Sequence, residues 1–147
     1  MNHQRGAPLL GIAACLLALV AVAAPYVAVP EAEVDVVGQY YGLGAVGPLA
    51  VALLAMVGVI AFAAGLKERS DPSLIAGLMV TAGVFSVVAA VQWAFAVPSS
   101  VGQSASTAEF LSVHRWTVPV ASALIAVAAG WYAWALGLFG GRPSNAA

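Results

Sequence analysis

Charge is what this chain has least of. Lys, Arg, Asp and Glu make up 7% of its 147 residues, with 5 basic and 6 acidic side chains and a net charge of −1. A water-soluble domain carries about 25% charged residues. A chain this poor in charge cannot clothe itself for water, so lipid must be the solvent for most of its side chains. The near-neutral balance leaves no basic footprint, and nucleic acid is not an expected partner.

Cysteine and histidine are nearly missing too. A lone Cys15 excludes an intramolecular disulfide and every dithiol mechanism, including the membrane-embedded thiol oxidases that need a C-x-x-C pair. Within an apolar run it reads as a small buried or lipid-facing side chain. The two histidines, His3 and His114, are expected at opposite sides of the membrane and cannot face each other across a haem. Zinc needs three or four convergent ligands, and no Cys or second His accompanies Glu109 and His114. The alternating Glu31-Ala32-Glu33-Val34-Asp35 lacks the ligand spacing and turn glycine of a calcium loop. No metal and no cofactor is expected.

What the chain has is apolar length: 63% of its residues are hydrophobic. Four apolar runs stand out, roughly 8–29, 44–66, 73–97 and 113–139. Each exceeds the ~20 residues that cross a ~30 Å hydrocarbon core, and none carries a charge deep inside. Unpaired backbone groups are too costly in lipid for anything but helices or closed barrels, and these runs are too long for barrel strands. The expected fold is all-α, an integral membrane four-helix up-and-down bundle forming one transmembrane domain over residues 1–147.

Punctuation fits these limits. Pro8 suits the first turn of the first helix, and Ser70-Asp71-Pro72-Ser73 offers a cap and a proline at the start of the third. Pro98-Ser99-Ser100 ends the third helix, and Gly140-Gly141-Arg142-Pro143 ends the fourth. Pro25 and Pro119 fall inside helix ends, where local kinks are expected. The first run also imitates a cleavable leader, with Arg5 ahead of it, Ala21-Val22-Ala23 within it and a lipoprotein-like Ile12-Ala13-Ala14-Cys15. About fourteen mostly apolar residues follow Cys15, however. The run therefore reads as a retained helix.

With the N-terminus inside, Arg5, Lys67, Arg69 and Arg142 are cytoplasmic, and only Arg115 is outside. That distribution predicts a multi-pass plasma-membrane protein with both termini in the cytoplasm. Close packing between helices is offered by small residues at four-residue steps: Ser122, Ala126 and Gly130; Ala82, Ser86, Ala90 and Ala94; Ala61 and Gly65.

Depth arithmetic gathers the polar and aromatic residues at the outer end: Tyr26, Tyr40, Tyr41, Gln92, Trp93, His114, Arg115 and Trp116. One reading is an interfacial aromatic belt, with Arg115 snorkelling to lipid phosphates and Trp131, Tyr132 and Trp134 as its inner counterpart. The other is a ligand or partner site. Gln92 needs a hydrogen-bond partner, because an unpaired amide in hydrocarbon costs about 4–8 kcal/mol; Tyr26, Tyr41 and His114 are in reach. The charged turn Lys67-Glu68-Arg69-Ser70-Asp71 reads as a solvated topology anchor, with docking to a cytoplasmic partner as the alternative.

Ala7-Pro8-Leu9-Leu10-Gly11, Ala24-Pro25-Tyr26, Tyr40-Tyr41, Asp71-Pro72, His114-Arg115-Trp116 and Trp131-Tyr132-Ala133 together give the chain a likeness along nearly its whole length. It resembles the uncharacterised small four-helix membrane proteins of halophilic archaea. The resemblance implies fold and source, assigns no activity and transfers no functional residue.

For function, the leading expectation is a non-enzymatic accessory or structural subunit whose partners are the lipid bilayer and other membrane subunits or a second copy. A small transporter or channel is the first alternative. Ion-coupled carriers usually bury an ionisable residue, and the small multidrug exporters depend on a membrane-embedded glutamate that this chain lacks, so only a neutral or lipid-like substrate fits. The second alternative is a quinone- or lipid-headgroup-binding protein using the outer cluster.

Overall fold

The computed structural model describes residues 3–101, 103 and 105–140. Among these residues it is all-helical. Four long helices, α1 (His3–Ala28), α3 (Pro48–Leu66), α4 (Pro72–Ala96) and α5 (Ala108–Ala135), are joined by a short helix α2 (Val34–Tyr41) that follows a 3-10 turn at Glu31–Glu33. The four long helices are apolar and long enough to cross a membrane. α1 packs between α3 and α5, and α4 closes the ring against α3 and α5. With short connections, successive long helices run antiparallel.

The helix limits differ from expectation in instructive ways. α1 begins at His3, so Pro8 lies inside the helix and not in its first turn. α5 runs Ala108–Ala135, about five residues earlier at its start than the apolar run suggests. Helix formation needs backbone geometry rather than apolarity, and Glu109 in the first turn complements the positive helix start. α5 also stops earlier than the glycines at 140 and 141 imply. Gly137 takes φ +75°, its N–H bonding the Trp134 carbonyl at 2.9 Å while that of Leu138 bonds the Ala133 carbonyl at 3.0 Å. This is a Schellman cap, and Gly137 is its left-handed residue. Gly141, Arg142 and Pro143, which were expected to stop the helix and add an inner charge, lie outside the described residues.

α3 ends with the same device. Glu68 N–H bonds the Gly65 carbonyl at 3.2 Å and Arg69 N–H the Ala64 carbonyl at 3.0 Å, with Glu68 at φ +52°. The turn into α4 is then capped as expected: Asp71 Oδ1 accepts from Ser73 N–H at 2.9 Å and from Ser73 Oγ at 2.5 Å. Those bonds from Ser73 hold the Asp71 carboxyl below its usual range.

Of the expected small residues, Ala126 makes the close approach between α5 and α4, against Gly83, whereas Gly130 has nothing within 4 Å of its Cβ position. A Cβ placed on Gly83 would sit 2.8 Å from Ala126 Cα, so these two backbones touch. Ser86, Ala90, Ala94 and Ser122 are buried along the same seam. The interior divides into two clusters. One, around Cys15, Phe62, Met79, Ile125 and Tyr132, fills the bundle toward the start of α1. The other, around Val22, Tyr40, Tyr41, Trp93 and Leu111, fills the end that α2 covers.

Candidate functional site

α2 is the element that builds the site. Its segment was expected to be an acidic loop, yet it coils because Val37, Tyr40 and Tyr41 fall at helical spacing and bury one face. Gly38 and Gln39 on the other side are exposed. Glu33 pins the approach to α2, its carboxylate accepting from Ser106 N–H at 3.3 Å and Ser106 Oγ at 3.2 Å.

Each buried ring on α2 then grips a different long helix. Tyr41 Oη donates to the Val22 carbonyl of α1 at 2.5 Å. Tyr40 Oη lies 3.1 Å from the Leu111 carbonyl and 3.1 Å from His114 Nδ1, both on α5. From α4, Trp93 Nε1–H donates to the Tyr40 carbonyl at 3.0 Å. The rings interlock as well: Trp93 meets Tyr40 edge-on with centroids 5.0 Å apart, and Tyr40 stacks on Tyr41 at 5.4 Å. Burial pushes both phenols above their usual pKa.

His114 closes the network. Its Nε2 lies 2.6 Å from the Ala21 carbonyl of α1. A carbonyl only accepts, so Nε2 carries the proton. Helical geometry would pair that carbonyl with the N–H four residues on, but that residue is Pro25. The imidazole takes the place of the missing donor. In the neutral ring Nδ1 is then bare and accepts the Tyr40 hydroxyl. In the cationic ring Nδ1–H donates to Tyr40, whose proton turns to Leu111.

The structure therefore divides the residues that depth arithmetic put together. Tyr40, Tyr41, Trp93 and His114 converge and are buried. Gln92 turns away from them. Its Oε1 accepts from Ala45 N–H at 3.2 Å, and its Nε2 donates to the carbonyls of Val46 and Ala89. The expected partners Tyr26, Tyr41 and His114 are thus replaced by the backbone of the linker between α2 and α3. Tyr26 and Trp116 are 49% and 42% exposed, on the outside of the assembly. Trp116 meets Phe95 edge-on at 5.4 Å. Arg115 is half-buried, its Nη1 donating to the Val97 carbonyl at 3.4 Å. At the opposite end, Tyr132 is buried beside Phe62, whereas Trp134 is exposed.

The contributors that sequence reasoning missed are the carbonyls of Ala21, Val22 and Leu111. Only the first leaves a trace in the sequence, as a proline four residues downstream.

One family model matches residues 1–137. The chain belongs to DUF7548, a family of unknown function. The match takes in all five helices and stops at Gly137, the residue that caps α5. No curated protein and no solved structure matches the chain. In this DUF7548 chain the side-chain donors of Tyr40, Tyr41, Trp93 and His114 all have protein acceptors. Such an arrangement fixes four helices relative to one another.

Proposed function

We propose that this DUF7548 chain is a plasma-membrane protein that works without catalysis, as an accessory or structural subunit of a membrane complex. The observation that supports the reading is the direction of the polar groups at the α2 end. Tyr40, Tyr41, Trp93 and His114 bond to the chain's own backbone and to one another, which makes a rigid end and not a reactive one. Rigid helices with apolar flanks are what a neighbour in the bilayer packs against. One such flank has a shallow apolar groove of about 200 Å³ between α1 and α5, lined by Leu10, Ala13, Leu17, Leu124 and Val127.

The same reading takes residues 1–147 as one domain with both termini in the cytoplasm. Arg5, Lys67 and Arg69 cluster at the end away from α2, and Arg115 is at the α2 end, in keeping with the positive-inside rule. The sequence resemblance supports a source in halophilic archaea as part of this proposal.

Purification in mild detergent tests the role: a stoichiometric partner or a defined homo-oligomer is expected, and a strictly monomeric, partnerless species would sink the proposal. Orientation is tested separately by cysteine labelling over the buried Cys15 background. Gln39→Cys should react with an impermeant maleimide in intact cells, and Arg69→Cys only after permeabilisation. The reverse pattern would invert the topology.

A further inference from the structure

Beside the buried latch formed by Tyr40, Tyr41, Trp93 and His114 lies a cavity of about 260 Å³, where α4 ends and α5 begins. Tyr40 is part of its wall, the 97–101 turn and Gln103 form one side, and Ala108, Ser112 and Arg115 of α5 form the other. Among the described residues its lining includes one cation and no carboxylate.

Arg115 lies over the Trp116 ring, 5.5 Å from its centroid, but is short of hydrogen-bond acceptors. A guanidinium has five N–H donors, yet the contact to the Val97 carbonyl is long, at 3.4 Å. Its Nε is enclosed by protein with no acceptor among the described residues. A cation half withdrawn from water and uncompensated by an acid is costly, and an anion relieves that cost. Since Nε is enclosed, the terminal Nη groups are the ones a ligand would meet. The neutral groups nearby are partly engaged: Ser112 Oγ donates to the Glu109 carbonyl at 2.7 Å, and Gln103 Nε2 to the Ser99 carbonyl at 2.8 Å. The second N–H of Gln103 and the Ser99 hydroxyl remain as further donors.

We propose that this cavity binds a single anionic group, a phosphate or carboxylate, held by the Arg115 guanidinium with Ser99 and Gln103 as neutral donors. The site adjoins the interlocked rings through Tyr40 and does not depend on the accessory role proposed above. Its size suits a lipid headgroup or a free small anion. Either would brace the Tyr40 wall, so occupancy stabilises the fold in proportion to ligand concentration over Kd.

The test uses the full chain in mild detergent, with thermal unfolding followed as inorganic phosphate replaces chloride at constant ionic strength. A saturable rise in Tm is expected for the wild type. Arg115→Gln removes the charge, and Ser112→Leu fills the mouth from an exposed position while keeping the charge. Both should weaken the apparent Kd by at least about tenfold, Arg115→Gln by loss of the charge-assisted contact and Ser112→Leu by occupying the ligand's space. If Arg115→Gln fails to fold, Ser112→Leu decides alone. A wild-type response in either folded variant overturns the site, as does the absence of a saturable wild-type response to both phosphate and dihexanoyl phosphatidylglycerol. Tighter binding of that lipid, in competition with phosphate, identifies a headgroup site; phosphate binding without competition identifies a free-anion site.

Discussion

Pro25 and His114 lie on different helices and are joined through one atom, the Ala21 carbonyl oxygen. Pro25 leaves that oxygen without its helical donor, and His114 Nε2 supplies one from α5 at 2.6 Å. The two residues are therefore expected to be energetically coupled.

His114→Phe should destabilise the protein by about 2–3 kcal/mol, because it breaks two bonds and strands a buried carbonyl. In a Pro25→Ala background the helix provides its own N–H to Ala21. The same substitution should then cost about 1–2 kcal/mol less. A double-mutant cycle read by denaturant unfolding in detergent measures the difference, and strict additivity would contradict the link.

Gly83→Ala should force α4 away from α5. The added Cβ would meet backbone at 2.8 Å, which a rotamer change cannot relieve. A loss of about 1–3 kcal/mol is expected. Gly77→Ala, on the same helix with nothing within 4 Å of its Cβ, is the control and should be neutral or mildly stabilising.

Glu68 occupies the left-handed position of its cap, where an L side chain is strained. Glu68→Gly should raise thermal stability, whereas Gly137→Glu, the mirror exchange in the equivalent cap of α5, should lower it by about 1 kcal/mol. Melting curves of the two variants check the pair.

Tyr40 and Tyr41 have phenols raised by burial. Above pH ~10 the unfolded chain releases protons that the folded chain keeps, so stability falls as pH rises through that value and does not depend on these groups below it. Absorbance at 295 nm should show the consequence. At pH ~11 the folded wild type and Tyr41→Phe should have equal phenolate signals, and the wild type should exceed the variant by one phenolate after unfolding. A difference of one phenolate in the folded state would show Tyr41 to be ionised and exposed.

The four long helices were legible because a membrane span is set by length and apolarity, properties read one residue at a time. Their ends were less so. Gly137 is less conspicuous in the sequence than the glycines at 140 and 141, since capping depends on φ and not on the number of glycines. α2 was hidden by Glu31, Glu33 and Asp35, whose charge suggested an open loop, although Val37, Tyr40 and Tyr41 already had helical spacing. Of the cluster, depth placed Tyr40, Tyr41, Trp93 and His114 at one end correctly. It could not say which would face inward, because that depends on the rotation of each helix about its axis. Gln92 shows the same limit: a side chain seeking a partner found backbone, the commonest acceptor in proteins, and backbone positions are invisible to a search among side chains.

The latch also sets an order on biosynthesis. α2 emerges from the ribosome early, but the groups that hold Tyr40 lie 71 and 74 residues further along. Until the last span has been inserted, α2 has only Val22 of α1 and Trp93 of α4 to bond to, and the Tyr40 hydroxyl lacks both of its α5 partners. A nascent chain halted before Leu111 should leave α2 open to added protease, and one extended past His114 should protect it. Closure of the latch thus reports that all four spans are in place, and quality-control proteases could read an undocked α2 as the mark of an unfinished protein.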